Sequence, residues 1–219
     1  LGTGDELAEP GQAFETPGSI PESVSFGVAA LARQCGGEVV ERRRLTDTPE
    51  TLEAAARLAL SEADLVVVTG GASVGEKDYA RSMFAPFGLE LIFSKVAIKP
   101  GKPVWFGRAD GTLILGLPGN PTSALVTARL FMAPLVAGLT GRDPAALLGW
   151  RDMTLTAPLK ACGDRETFER GRLVGGGVAG LAVQDSATQI ALATADVLIR
   201  RRAGAAALNA GDNALVLDF

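Results

Sequence analysis

Leu65-Val66-Val67-Val68-Thr69-Gly70-Gly71-Ala72-Ser73-Val74-Gly75-Glu76-Lys77-Asp78 is the stretch that decides the fold. It opens on a continuous apolar run, Leu65 to Val68, the pattern of a strand covered on both faces. A glycine-rich loop follows, and helical spacing resumes from about Asp78 to Ala85. Strand, glycine-rich turn and helix in succession form the repeating unit of a parallel α/β sheet.

The same alternation continues on both sides. Val24 to Gln34 has helical spacing, with Phe26, Ala29, Ala30 and Leu31 apolar, and stops at Gly36-Gly37. Glu38 to Leu45 reads as a strand. Thr48-Pro49-Glu50 starts a helix, with Thr as N-cap and Pro in the first turn. Leu52, Ala55, Ala56, Ala59 and Ala63 give it a narrow apolar face. Leu89 to Ile98, Val104 to Phe106 and Thr112 to Leu117 read as strands, and Pro121 begins a long helix to about Leu139, disturbed at Pro134. The expected fold class is α/β, a doubly wound and mostly parallel sheet over residues 1–148. From 149 to 219 the segments become short and β-like, separated by glycine clusters. Thr154 to Ala157, Phe168 to Val174, Val178 to Val183, Val197 to Arg201 and Ala214 to Leu217 predict a small all-β domain there.

Composition removes whole classes of chemistry. The 219 residues carry 21 Lys and Arg against 25 Asp and Glu, a net charge of −4, without the basic footprint of a general nucleic-acid binder. With no histidine, Ser-His-Asp and Cys-His catalysis and His-ligated metals are excluded. The two cysteines, Cys35 and Cys162, are too few for a four-ligand zinc or iron–sulfur site and read as small buried hydrophobes of a reducing cytoplasm. The most apolar stretch, Leu113 to Leu139, is interrupted by Pro118, Pro121, Arg129 and Pro134 and reads as no membrane span. The chain opens at Leu1-Gly2-Thr3 without Met and reads as a piece of a longer protein, cut near the end of a strand. Arg42-Arg43-Arg44 and Arg200-Arg201-Arg202 read as strand ends with solvated side chains. Gly175-x-Gly177-x-x-Gly180 matches a dinucleotide fingerprint by letter but runs into a strand-like segment, so it reads as a loop. Gly70 to Gly75 begins like a P-loop but continues Glu76-Lys77, which excludes a Walker-type NTPase.

Polar and Gly/Pro-rich motifs follow each strand of the α/β part. They are Thr3-Gly4-Asp5-Glu6, Thr46-Asp47, Thr69 to Asp78, Lys99-Pro100-Gly101-Lys102-Pro103 and Pro118-Gly119-Asn120-Pro121-Thr122-Ser123. Ligands of open α/β sheets bind outside the carboxyl ends of the strands, so these loops are expected to converge on one crevice. Gly70, Gly71 and Gly75 let backbone amides approach a ligand, and Ser73 adds a hydroxyl, a set that suits phosphate. Lys95, Lys99 and Lys102 add positive charge, and Asn120 to Ser123 opens a helix. Asp5, Glu6, Asp47 and Asp78 would repel a phosphate unless a hard cation such as Mg²⁺ bridges them. Any one of these motifs alone is turn or surface chemistry; their arrangement carries the reading.

Four of these stretches resemble the MoeA family of molybdopterin molybdenumtransferases, which includes the E domain of gephyrin. They are Thr3 to Leu7, Thr69 to Tyr79, Lys95 to Pro103 and Gly116 to Ala124. The tail is similar to the family's small C-terminal β domain through Arg165 to Arg170 and Gln184-Asp185-Ser186. The resemblance implies the last step of molybdenum cofactor synthesis: insertion of molybdate into adenylylated molybdopterin with release of AMP, in the cytoplasm, by a protein that is a homodimer at full length. By matched position, Glu6 and Asp78 correspond to Mg²⁺ ligands, with Asp5 and Asp47 in the same acidic set. The resemblance casts Asp47, Asp78, Lys95 and Lys99 as the residues of the reaction, with a carboxylate expected to orient the attacking oxygen. Thr3, Gly4, Asp5, Gly70, Gly71, Ser73, Gly75, Lys102, Pro118, Gly119, Asn120, Pro121 and Ser123 become substrate contacts. Arg170 and Ser186 join the lysines around the molybdate oxyanion. Glu22-Ser23-Val24 stands where the family usually has Asp-Ser-Asn, and Thr48 where a second Asp is common. The family's two N-terminal domains have no counterpart here. The alternative reading is a non-catalytic module that holds the pterin or nucleotide, or a scaffold; the retained Glu6, Asp47 and Asp78 favour the enzyme.

Overall fold

The computed structural model describes residues 1–15, 17–70, 79–185 and 189–219. In chain order its strands are β1 (Gly2–Thr3), β2 (Leu7–Ala8), β3 (Ile20–Pro21), β4 (Arg44–Leu45), β5 (Leu65–Thr69), β6 (Glu90–Ser94) and β7 (Ile98–Lys99). They continue with β8 (Trp105–Ala109), β9 (Thr112–Leu117), β10 (Arg151–Thr154), β11 (Glu166–Val174), β12 (Gly177–Gly180), β13 (Val197–Arg201) and β14 (Asn213–Asp218). The α-helices are α1 (Val24–Gln34), α2 (Pro49–Glu62), α3 (Tyr79–Ser82), α4 (Pro121–Thr127), α5 (Ala133–Leu139) and α6 (Gln189–Ala193).

The first sheet has the order β4-β1-β5-β9-β8-β6. The four strands from β4 to β9 are mutually parallel, and β8 and β6 extend the sheet antiparallel. The apolar run that announced β5 is continuous because both faces are covered. Val66 and Val68 pack with α2 residues Leu52, Ala56 and Leu60, while Leu65 and Val67 face the cluster that holds α1 residues Val24 and Val28. α1 ends in a Schellman arrangement, with Gly36 N–H bonded to Arg33 O and Gly37 N–H to Ala32 O. β8 and β9 form a hairpin turned by Asp110-Gly111, both at positive φ.

The second sheet runs β10-β14-β13-β11-β12, with β7 added parallel to the edge of β11. Alternate residues again face opposite ways: Val197, Ile199 and Val216 build a core of their own, whereas Leu198, Leu217 and Phe168 join the cluster of β9 and the Pro121–Leu139 run. One apolar core therefore runs across the contact between the two sheets.

Several elements depart from the sequence reading. The strand expected over Glu38 to Leu45 shrinks to Arg44–Leu45, because its charged residues stay largely exposed and only its end reaches β1. The strand expected over Leu89 to Ile98 breaks at Lys95, whose φ is +70°. Bonds from Lys95 N–H to Val104 O and Val96 N–H to Lys102 O close a loop there, and the chain then crosses to the second sheet as β7. Thr154 to Ala157 gives way to Arg151–Thr154, and α6 had no sequence signal. The helix from Asp78 is seen as α3 followed by a 3₁₀ turn at Ala85–Phe87, with Asp78 outside the described residues. Disturbance of the long helix takes the form of a π turn over Ala128–Met132, with Ala133 N–H bonded to Ala128 O. Pro134 lacks the amide that a regular turn would use there. By length and composition alone, the 19 residues Pro121–Leu139 are apolar enough to cross a membrane, but 56% of the most apolar window is buried inside this chain.

Candidate functional site

The parallel half of the first sheet sends four carboxyl ends to one edge. β1 leads into Thr3-Gly4, β4 into Asp47, β5 into Gly70 and β9 into Pro118-Gly119. The chain passes from β1 outward to β4 and then back across β1 to β5, so β1 and β5 flank the point where the strand order reverses. Such a point opens a crevice. A cleft of about 500 Å³ lies there, walled by Thr3, Gly4, Glu6, Asp47, Gly70 and the Pro118–Pro121 turn. Close backbone approach shapes its floor. Gly70 has φ +94°, and a Cβ there would lie 2.3 Å from Thr3 O, so only glycine lets β5 leave the sheet beside β1. Asn120 caps α4 by accepting from Ser123 N–H at 3.4 Å.

Asp5 does not line this cleft; its Oδ1 accepts Asp47 N–H at 3.0 Å, tying the β1 and β4 loops together. Glu22, which sequence reasoning left without a role, lines the cleft although only 3% exposed. Its Oε1 accepts Ser25 N–H at 2.8 Å and its Oε2 accepts the Ser25 hydroxyl at 2.5 Å, so it caps α1. Arg42 reaches the same carboxylate at 3.6 Å and stacks on Phe26 at 3.5 Å. The solvated reading therefore holds only in part for the first arginine triplet. It fails for Arg201, which is 3% exposed and donates to Lys160 O and Ala206 O.

A second cleft of about 660 Å³ lies between the two sheets and shares Pro103 with the first. Lys99, Lys102, Ser123 and Arg170 line it, four residues that the sequence scattered over three separate motifs. The pairing of β7 with β11 brings them together: Ile98 lies opposite Glu166 and Lys99 opposite Thr167. Cys162, read as a buried hydrophobe, is a half-buried free thiol on this cleft, while Cys35 is buried as expected. Glu169 also reaches it; burial raises its carboxyl above the ordinary value, opposed by Arg201, Arg170 and Lys99. Burial likewise lowers the Arg170 guanidinium, opposed by Asp185 and Glu169. Lys95 lines neither cleft and sits at the turn that sends the chain toward β7. Gly71, Ser73, Gly75, Asp78 and Ser186 lie outside the described residues.

Glycine turns and carboxylates at one edge of a parallel sheet, beside a second cleft lined by Lys99, Lys102 and Arg170, define an open α/β protein with its crevice at the carboxyl ends of the strands. Residues 1–138 match the family described as "Probable molybdopterin binding domain", and residues 152–219 match "MoeA C-terminal region (domain IV)". The chain belongs to the MoeA family. A molybdopterin molybdenumtransferase of Haemophilus influenzae is 39% identical over 171 residues, covering 78% of this chain and 42% of that protein. One from Nostoc sp. is 34% identical over 178 residues, covering 78% and 40%. A crystal structure titled as a molybdopterin biosynthesis MoeA protein from Pyrococcus horikoshii superposes with a TM-score of 0.84 at 27% identity, covering 99% of this chain and 52% of that one. The chain thus spans about half the length of these relatives, or less.

Proposed function

We propose that this chain carries the pterin- and oxyanion-binding part of a molybdopterin molybdenumtransferase, which inserts molybdate into adenylylated molybdopterin and releases AMP. The observation that carries the reading is the adjacency of the two clefts, one walled by carboxylates and glycine turns, the other by Lys99, Lys102 and Arg170. The first cleft takes the phosphate end of the substrate, with Thr3, Gly4, Gly70, Gly119 and Asn120 against it and Gly71, Ser73 and Gly75 following Gly70 in the sequence. The second holds molybdate, on Lys99 and Arg170 with Lys95 and Ser186 nearby in the chain.

Mg²⁺ fits the donor set under one condition. Among the described residues no group of three Asp, Glu or Cys side chains could hold a metal by itself. Glu6 and Asp47 line the first cleft as hard oxygen donors, and Asp78, outside the described residues, is the third carboxylate of the set. Mg²⁺ is ordinarily held through one or two carboxylates plus phosphate oxygens, so the cation would arrive with the nucleotide. When bound it would neutralise charge on the phosphate. The protein's own part is to hold the phosphate on backbone amides, keep the carboxylates apart from it, and present molybdate from the adjoining cleft. The cytoplasm is the compartment consistent with two free thiols, and at full length the protein acts as a homodimer.

Calorimetric titration with AMP, with and without Mg²⁺, tests the reading. Binding that requires Mg²⁺ and is lost in Asp47→Asn and Asp78→Asn supports it. Binding unchanged in both variants refutes the metal-bridged nucleotide site.

A further inference from the structure

Arg170 and Arg201 are both almost completely buried, at 2% and 3% exposure, yet their surroundings differ. A buried guanidinium is costly unless its donors are used. Arg201 spends its terminal nitrogens on Lys160 O and Ala206 O and lies 3.8 Å from Glu169. Arg170 donates through Nη2 to Asp185 O at 3.2 Å, while its buried Nε has no partner among the described residues. It therefore keeps unused donor capacity in the wall of the second cleft.

The main chain of Arg170 is held in an unusual way. Pairing of β11 with β12 ends at Gly171 opposite Gly180, and Leu181 N–H adds a last rung to Arg170 O at 2.8 Å. Arg170 lies opposite Leu198 of β13 on one edge, but on the β12 edge no strand among the described residues pairs with it. The side chain of Gln184 takes the place of the missing peptide group. Its Oε1 accepts Arg170 N–H at 3.0 Å, and its Nε2 donates to Arg170 O at 2.8 Å and to Leu181 O at 2.9 Å. Both amide donors and the amide oxygen are engaged, on Arg170 and Leu181 where the β11–β12 pairing ends. Asp185, the next residue, supplies the carbonyl that takes Arg170 Nη2. One side chain thus fixes the backbone of Arg170 and also the segment that orients its guanidinium.

We infer that Gln184 is a positioning residue whose amide, bonded on both sides of the Arg170 peptide, holds the Arg170 guanidinium ready for an oxyanion in the second cleft. The inference rests on the proposed reading of that cleft as the oxyanion site. Fixing the donor in advance removes the ordering cost that a free arginine would meet on binding.

The test compares the wild-type chain with Gln184→Ala, Gln184→Glu and Arg170→Ala. Molybdate affinity is read by calorimetry, and the mobility of the Arg170 Nε–H by ¹⁵N relaxation. Gln184→Ala should weaken molybdate binding roughly tenfold or more and make the Arg170 Nε–H mobile, with AMP affinity at the first cleft within about twofold of wild type. Gln184→Glu keeps an acceptor for Arg170 N–H but loses both donors, so it should fall between the two and serves if the alanine variant does not fold. A purely structural role would lower AMP affinity and melting temperature together with molybdate affinity, which overturns the inference. It is also overturned if the Gln184 variants leave Arg170 Nε–H as rigid as in wild type. If Arg170→Ala binds molybdate as wild type does, the oxyanion reading of the cleft fails, and the relaxation measurement alone then decides whether Gln184 positions Arg170.

Discussion

Gly70→Ala strikes a close backbone contact in the floor of the first cleft. A left-handed φ costs an L-residue about 1–2 kcal/mol. The new Cβ would also sit 2.3 Å from Thr3 O and 2.9 Å from Thr3 Oγ1, and the carbonyl is backbone that cannot swing away. Overpacking of that kind typically adds about 1–3 kcal/mol, for a sum of about 2–5 kcal/mol. At about 2–4 °C per kcal/mol for a chain of this size, the melting temperature should fall by roughly 4–20 °C. β1 is two residues long, so the strain is relieved most easily by moving the Thr3–Glu6 turn away from Gly70, which opens the cleft floor. Circular dichroism melts and AMP titration in the presence of Mg²⁺ read the two consequences. Gly111→Ala is the control: φ is +83° there, but nothing lies within 4 Å of the added Cβ, so it should cost about 1–2 kcal/mol and leave AMP binding alone. Equal loss of stability in the two variants, with unaltered nucleotide affinity in Gly70→Ala, would refute the reasoning.

Phe168→Ala empties a position that joins the β11 side of the second sheet to the core of the first, and should cost about 3–5 kcal/mol in denaturant unfolding. A loss under about 1 kcal/mol would mean that the shared core contributes little there. Glu169 has its carboxyl raised above the ordinary 4.5, so it binds protons more tightly folded than unfolded. Its contribution is therefore full below 4.5 and is lost as pH rises through the raised folded value. Glu169→Gln should remove that downward slope from the stability–pH curve, and an unchanged slope assigns it to another group. Lys99→Ala should weaken molybdate binding more than AMP binding in paired titrations; the reverse order would move Lys99 to the nucleotide side.

The sheet was legible because its central strands are buried on both faces, which leaves Leu65 to Val68 and Thr112 to Leu117 with no polar interruption that matters. The loops at the first cleft were legible for the same reason: parallel strands put their carboxyl ends at one edge, so Gly4, Asp47, Gly70 and Gly119 had to meet. What the sequence hid depends on pairings between distant segments. Nothing local in Lys95 to Lys99 says that the chain leaves one sheet at a positive-φ lysine and joins another at Glu166. The second cleft therefore appears only when β7 meets β11. Arg201 looked solvated because its acceptors are carbonyls at 160 and 206, which carry no side-chain signature. Gln184 stood inside a motif that marked the family, but its role is a substitute peptide group at a strand end, and such roles have no residue code.

The most direct test is a single-turnover assay in which the full-length protein that carries this chain meets adenylylated molybdopterin with Mg²⁺, with and without molybdate, and AMP is quantified. The account predicts AMP release that depends on molybdate, is abolished in Asp47→Asn and falls sharply in Arg170→Ala. Absence of release, or release indifferent to molybdate and to both substitutions, would contradict it.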